Sequence, residues 1–196
     1  MKYTWLFIIG IFLLSTGCTS EQLKTTELTI EPYEVNKHEK ELIVFTGIEG
    51  IQYFELNGEV GKADDLLKTI EVYEHGKKVS DEPFSSNQIQ DHFKDSLLSF
   101  GFDSDKGEIR FIHGSEGGTF TMLEDFEASG YTFGSLQTEK VMFEHNKPVY
   151  LYAIAGTNKG GISGVTLDEE GKPSGGILQA DKAFVFKVMV TNRTSE

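Results

Sequence analysis

The sequence predicts a mainly β protein, an antiparallel β-sandwich-like domain with a short N-terminal helix. Apolar and polar residues alternate over short segments along most of the chain, which is the period of a strand with one face in a core. The 21 glycines, which follow no repeating period, indicate many turns. Short strands, frequent turns and few helical stripes together favour packed antiparallel sheets.

Length, composition and charge limit the function classes. The chain has 196 residues, of which 38% are hydrophobic and 25% charged, the balance of one globular domain. It carries 31 acidic and 18 basic residues, a formal net charge of −13. Nucleic-acid binding needs a basic surface that displaces counterions from phosphates, so this charge argues against a nucleic-acid partner.

The first residues have the pattern of an export signal. Lys2 precedes an apolar run from Trp5 to Leu14, and small residues then lead to Cys18. The run has the length of a signal-peptide core and is too short to span a bilayer as a helix. The segment LSTGC, which ends at Cys18, resembles the lipobox of bacterial lipoproteins. This resemblance implies cleavage before Cys18 and a glycerolipid on its thiol.

The cysteine count favours the same interpretation. Cys18 is the single cysteine of the chain, so an exported form has no intramolecular disulfide. Two acyl chains hold a protein stably at a membrane, where one chain binds reversibly. We therefore expect a lipid-anchored protein on the extracytoplasmic face of the cell membrane. The alternative is an ordinary secretory signal in which the cysteine is incidental.

These observations divide the chain into three parts. Residues 1–17 are the predicted signal peptide, residues 18–30 the lipidated cysteine and a polar tether, and residues 31–196 a single β-rich domain. A first short strand is expected near Leu28 and Ile30, because these apolar residues alternate with polar ones.

The short helix is predicted from its ends. Asn36 and Glu39 have the spacing of a capping box, and Gly47 is suited to a helix C-terminus. The expected helix runs from about residue 37 to residue 46. The alternative is a strand over residues 41–46, which are rich in β-branched and aromatic side chains.

The remaining elements are predicted as strands separated by turn residues. Ile51 to Leu56 is followed by Asn57-Gly58, a dipeptide typical of hairpin turns. The other strands are expected over residues 67–74, 77–81, 108–113, 118–123, 141–144, 149–155 and 183–191.

Residues 87–100 carry two patterns. Their apolar side chains fall on one helical stripe, yet Leu98, Phe100 and Phe102 alternate as in a strand. A short helical turn that leads into a hairpin at residues 104–107 satisfies both patterns, so the segment stays open between a helix and part of a hairpin.

Motifs for metal or nucleophilic chemistry are weak. The histidines lack the helical spacing of zinc ligands, and they are His38, His75, His92, His113 and His145. The segment from Asp103 to Glu108 begins like a calcium loop, but ligand positions five and twelve fall on Gly107 and Gly114. No serine lies in a G-x-S-x-G elbow. We therefore predict no metal and no cofactor.

Tyrosines are the remaining candidates for a binding surface. Tyr150 and Tyr152 are two residues apart, so a regular strand places both on one face, and Tyr131 forms a similar pair with Phe133. Such ligand-facing aromatics could stack on the sugar rings of a cell-wall glycan. The alternative is an ordinary half-buried sheet face. The single tryptophan is Trp5, within the signal, and this weakens the glycan interpretation.

The sequence as a whole favours a non-enzymatic binding or interaction module in the cell envelope, with an envelope protein or a cell-wall glycan as partner. The alternative is an envelope hydrolase with dispersed catalytic residues. That alternative requires a serine or a carboxylate pair to converge with His92 or His113 in one pocket.

Overall fold

The computed structural model describes residues 26–85, 90–105 and 107–193. Within this part of the chain the elements are, in order, β1 (Glu27–Pro32), α1 (Lys37–Val44), β2 (Glu49–Glu59), β3 (Asp64–Glu74), β4 (Lys77–Ser85), β5 (His92–Asp105), β6 (Glu108–Ser115), β7 (Gly118–Asp125), β8 (Gly130–Ser135), β9 (Val141–Met142), β10 (Val149–Thr157), β11 (Val165–Leu167), β12 (Pro173–Gly175), α2 (Gly176–Gln179) and β13 (Lys182–Asn192).

Two antiparallel sheets form the body of the domain. The first sheet has the strand order β7-β6-β5-β2-β1-β9, and the second has the order β4-β3-β13-β10-β8. Aromatic rings of the two sheets meet between them. The rings of Phe111 and Phe184 lie 4.6 Å apart, and those of Phe100 and Phe186 lie 5.1 Å apart. The prediction of a mainly β, antiparallel, sandwich-like domain is confirmed.

The first strand begins before the predicted domain boundary. Leu28 and Ile30 are fully buried in β1, which pairs with β2 along its whole length. The strand expected near these two residues is therefore confirmed. It follows that residues 27–30 belong to the folded domain and not to the tether.

A third layer covers the outer face of the second sheet. The small β11–β12 sheet and α2 lie between β10 and β13 in the sequence, and Ile177 and Ala180 of this excursion pack with Ala153 and Val185. The second sheet is thus buried on both faces along β10 and β13, which explains why β10 has almost no exposed residue.

The turn predicted at Asn57-Gly58 is wrong. Strand β2 continues through both residues, and its pairing with β5 shifts register between Leu56 and Gly58. Gly58 has a φ of 126°, and a Cβ there would collide with the carbonyl oxygen of Glu27. The glycine therefore allows a bulge and a close approach to β1 instead of a reversal of the chain.

The structure also settles the described part of residues 87–100. β5 starts at His92 and is extended, so the helical turn predicted there is wrong from that residue onward, while residues 86–89 lie outside the described part. Asp95 has a φ of 50° beside a register shift in the β2–β5 pairing. This bulge adds a residue between the buried Phe93 and Ser96, and the resulting three-residue spacing resembles a helical stripe. The hairpin from β5 into β6 is present.

Helix α1 connects β1 to β2. The side chain of Asn36 accepts hydrogen bonds from the backbone N–H groups of His38 and Glu39, and Glu39 in turn accepts from the Asn36 N–H at 2.7 Å. This is the capping box expected from the sequence. The described chain starts at Thr26, just before β1, and α1 follows the last residue of β1. The helix and Thr26 therefore lie at opposite ends of the sandwich.

Candidate functional site

The most exposed apolar surface of the described residues lies on and beside α1. No residue of α1 is buried. Leu42, Val44 and Phe45 are 54%, 75% and 84% exposed. Monomeric soluble proteins rarely expose contiguous apolar patches unless these bind something. We therefore treat this surface as the candidate site.

A shallow groove runs between α1 and the first sheet. Its apolar part has a volume of about 220 Å³, and we call it the α1 groove; it is lined by Tyr33, Val35, Glu39, Leu42, Ile43, Tyr53 and Leu97. A wider cavity of about 690 Å³ continues from it past Lys40 and Gln52. The groove is thus built from three elements that are distant in the sequence, namely α1, β2 and β5.

Local hydrogen bonds fix the position of α1 over the sheet. The backbone N–H of Tyr33 donates to the carbonyl oxygen of Tyr53 at 2.9 Å. The Tyr33 hydroxyl donates to Glu39 Oε1 at 3.1 Å, and this bond together with the Glu39 charge raises the pKa of Tyr33. The capping box and this bond share the Glu39 carboxylate, so one side chain both starts the helix and ties it to β1.

The charged side chains near the groove lie at its border. Glu34 and Lys40 border the wider cavity, and Glu39 is engaged by Tyr33 and Asn36. Apart from Glu39, the lining of the α1 groove is apolar or aromatic. Such a surface is suited to apolar side chains of a partner, with Tyr33 and Tyr53 as rigid aromatic walls.

Tyr131 lies at a different cavity, at the opposite edge of the second sheet from β4. It is 40% exposed and borders a space of about 450 Å³ together with Ser104, Glu127 and Asn158. The Asn158 side chain is already used, since it donates to the carbonyl of Glu127 and accepts from the N–H of Ser129. That Tyr131 faces a ligand remains a prediction.

Tyr150 and Tyr152 do not share a face, and the expectation that they do is wrong. The β10–β13 pairing shifts register between the two tyrosines. Tyr152 is fully buried between the two large sheets, with its ring 6.0 Å from that of Phe186. Tyr150 points to the other face, where its hydroxyl donates to Glu71 at 3.4 Å. A bulge reverses the alternation, so no row of exposed tyrosines forms on this strand.

The structure also locates the histidines of the hydrolase alternative. His113 is fully buried, its Nδ1 lies 3.1 Å from the carbonyl oxygen of Ser99, and its ring stacks on Phe100 at 4.8 Å. His92 is 69% exposed and pairs with Glu59 at 3.2 Å. Neither imidazole contacts a serine hydroxyl in the described residues. His92 also lies 3.6 Å from Asp91, but neither histidine lines any of the described cavities, so the hydrolase alternative stays a prediction.

Two buried basic side chains, His113 and Lys68, interact electrostatically in the core. Burial, and then the neighbouring Lys68 charge, lower the pKa of His113 to about 4. Burial also lowers the pKa of Lys68 to about 8, and Asp65 opposes this shift. His113 is therefore neutral at pH 7, which is what an imidazole among phenylalanines requires.

A buried cluster of charged side chains lies on the outer face of the second sheet, and no pattern in the sequence predicted it. Lys187 Nζ lies 2.6 Å from both Glu71 Oε1 and Asp81 Oδ2, and Tyr73 donates to Glu71 Oε2 at 2.8 Å. Burial, followed by the Glu71 contact, raises the pKa of Tyr73. Each carboxylate has partners, so the cluster ties β3, β4 and β13 together. The only sequence signal is that Glu71 and Lys187 interrupt strongly apolar strands.

The described part of the chain has neither a cluster of metal ligands nor a membrane-spanning helix. In the described ranges, no group of three or more histidine, cysteine or carboxylate side chains could hold a metal ion. Asp103, in the loop that begins like a calcium site, instead pairs with Arg110 at 2.6 Å. No helix in the same ranges is long and apolar enough to cross a membrane. Cys18 lies outside the described residues.

Comparisons of the chain with protein-family models, with curated proteins and with solved structures found no match.

Proposed function

We propose that this chain is a lipid-anchored extracytoplasmic protein of a bacterial envelope, and that its α1 groove, together with the exposed Val44 and Phe45 beside it, binds an apolar segment of another envelope protein. The observation that carries this proposal is a capped helix with no buried residue, on and beside which Leu42, Val44 and Phe45 are each more than half exposed. The lipobox-like segment that ends at Cys18 supplies the location.

Energetics support a binding role for α1. Helices of fewer than about 12 residues are marginal in water, and most helical stability in proteins comes from burial of an apolar face. α1 has eight residues and buries none. A partner that covers Leu42 and Phe45 would supply the missing burial, and a well-packed aromatic such as Phe45 is a common centre of binding energy.

The position of α1 favours a protein partner over the membrane itself. Seven residues lie between Cys18 and Thr26, so the extended chain from one to the other reaches at most about 28 Å. β1 then carries the chain a further distance of about 20 Å before α1 begins. A lipid on Cys18 would hold the Thr26 end near the bilayer, and α1 would face away from it. The net charge of −13 also opposes contact with anionic lipids.

The anchor is tested by fractionation. Cys18→Ala should abolish lipid attachment and either release the protein to the medium or leave the precursor uncleaved. The mass of the mature wild-type protein should match a chain that begins at a diacylated Cys18. Unchanged membrane retention and unchanged mass in the variant would contradict the anchor.

The groove is tested by in-cell crosslinking and mass spectrometry of the captured proteins. A Val44→Ser, Phe45→Ser double variant should lose a discrete adduct that the wild-type chain forms. Val79→Ser is the matched control, because Val79 is 54% exposed but lies on β4, away from α1. Equal loss in both variants, or no protein adduct in the wild type, would contradict the proposal and direct attention to a glycan at the Tyr131 cavity.

A further inference from the structure

Strand β7 is an open sheet edge without the usual protection. Sheet edges present free N–H and C=O groups that invite pairing with another strand, and proteins shield them with short strands, charges, prolines or bulges. Among the described strands, the two large sheets end at β7, β9, β4 and β8.

The other three edges carry such protection. β9 has two residues. β4 contains Lys77, Lys78 and Pro83, and its pairing with β3 shifts register twice. β8 has six residues, and β11 lies beside it. Val165 of β11 is so close to Gly134 of β8 that a Cβ at Gly134 would be in van der Waals contact with it. Each of these features discourages the addition of a further strand.

β7 has none of them over most of its length. Residues 118–123, GTFTML, carry no charge and no proline, and the β6–β7 register is unbroken. Phe120 and Leu123 are 45% and 60% exposed. A long, regular and apolar edge of this kind is a template for strand pairing.

The hairpin geometry shows which groups of β7 point outward. Ser115 pairs with Gly118 across a two-residue turn, so these two residues form the closing hydrogen-bonded pair. Hydrogen-bonded and non-hydrogen-bonded pairs alternate along an antiparallel ladder. The even-numbered residues of β7 therefore bond to β6, and Thr119, Thr121 and Leu123 direct their backbone N–H and C=O groups to the open side.

We propose that β7 pairs with β7 of a second copy of this chain, antiparallel about a two-fold axis through Thr121. The two first sheets then join into one continuous sheet. In this register Thr121 faces Thr121 of the other copy, and Thr119 faces Leu123. On the core side of the sheet, Phe120 lies opposite Met122, an aromatic–thioether pair that is favourable in proteins.

The charges of β7 select this register. Glu124 falls opposite Gly118 of the second copy and Asp125 falls opposite Gly117, so no carboxylate faces another. A shift by two residues in one direction would place Glu116 opposite Glu124, and like charges directly opposite are destabilising. The shift in the other direction would place the Glu124 carboxylate against the Phe120 ring.

Net charge sets the conditions in which the pair forms. Two copies of charge −13 repel each other, and salt screens this repulsion, so association should strengthen as ionic strength rises. An association through basic and acidic patches would show the opposite dependence on salt. The direction of the salt effect is therefore a second signature of edge pairing.

Register-specific disulfide formation tests the pairing. The full-length protein in detergent micelles is oxidised as a Thr121→Cys variant, with the wild type as the control for Cys18. Thr121→Cys should form a disulfide-linked dimer with itself. Thr119→Cys should not do so alone, but should crosslink to a Leu123→Cys chain when the two are mixed. Equal crosslinking at all three positions would indicate random collision and overturn the proposal, as would crosslinking only between Thr121→Cys and Leu123→Cys chains.

Light scattering of intact proteins tests the same interface without new cysteines. Thr121→Lys places two ammonium groups at the two-fold axis and should weaken dimerisation at least tenfold, while Thr121→Val should retain it. Thr121 is exposed, so both variants keep the core unchanged. A monomeric wild type at high micromolar concentration and high salt would overturn the proposal. The Val44→Ser, Phe45→Ser variant should dimerise normally, so this test is independent of the α1 groove.

Discussion

Because the imidazole of His113 is buried, we expect it to make the free energy of unfolding depend on pH. Its ring lies 4.8 Å from Phe100 and 5.5 Å from Phe84, and its Nε2 has no hydrogen-bond partner in the described residues. Burial and the nearby Lys68 charge lower the pKa of His113 from 6.5 to about 4. Replacing this side chain by leucine removes the titration and keeps an apolar group among the phenylalanines.

The sign and size of the effect follow from the two pKa values. In the unfolded chain the imidazole takes up a proton below its ordinary pKa, whereas the folded protein resists protonation until about pH 4. The stability that His113 contributes is therefore complete above the unfolded pKa of 6.5 and is lost as pH falls toward 4. A lowering of this size corresponds to about 3 kcal/mol, of which about three quarters is lost at about pH 4.5.

Urea unfolding at about pH 7.5 and about pH 4.5 measures this loss. Carboxylates also titrate over the range, so the useful quantity is the difference between the pH responses of wild type and His113→Leu. The wild type should lose about 2 to 3 kcal/mol more than the variant between the two pH values. His38→Gln, at an exposed position of α1, is the matched control and should behave as the wild type. Parallel pH responses of wild type and His113→Leu would refute a neutral buried His113.

Three further changes test the packing. Tyr152→Phe should leave thermal stability unchanged or raise it by about 1 kcal/mol, because the Tyr152 hydroxyl is buried without a partner in the described residues; a clear loss would reveal a bond that this account lacks. Gly50→Ala should cost about 2 kcal/mol in chemical denaturation, since Gly50 has a φ of 54° and a Cβ there would collide with Phe102; a neutral result would show that the backbone relaxes. Lys187→Met should cost about 3 kcal/mol by leaving Glu71 buried without its closest cation, and Glu71→Gln in the same chain should recover part of this loss; no recovery would contradict the ion-pair explanation.

Local patterns in the sequence were sufficient for the fold class and for α1. Alternation identified most strands because each has one face in the core, and the capping box identified the helix start because Asn36 and Glu39 satisfy backbone donors only three residues away. These features depend on near neighbours, so one sequence contains them.

Bulges were the main source of error. At Asp95, opposite the step from Leu56 to Gly58, and at the step from Tyr150 to Tyr152, an extra residue shifts one strand relative to its partner. The shift depends on a strand that is distant in the sequence, and strict alternation cannot reveal it. This is why Tyr152 became a core residue when the spacing predicted a surface one.

The candidate site could not be predicted from the sequence, for a similar reason. The α1 groove needs Tyr33 from the segment after β1, Tyr53 from β2 and Leu97 from β5 to meet beside the helix. The exposed apolar residues of α1 were visible as a short apolar run, but only the fold shows that this run is not part of the core.

The central claim, that α1 binds another envelope protein, is tested most directly by a photo-crosslinking amino acid at position 45 of the chain in living cells. The matched control places the same group at Lys172, whose side chain is 67% exposed and lies in the loop between β11 and β12. We expect one reproducible protein adduct from position 45 and none from position 172. The absence of an adduct at position 45, or the same adducts from both positions, would contradict it.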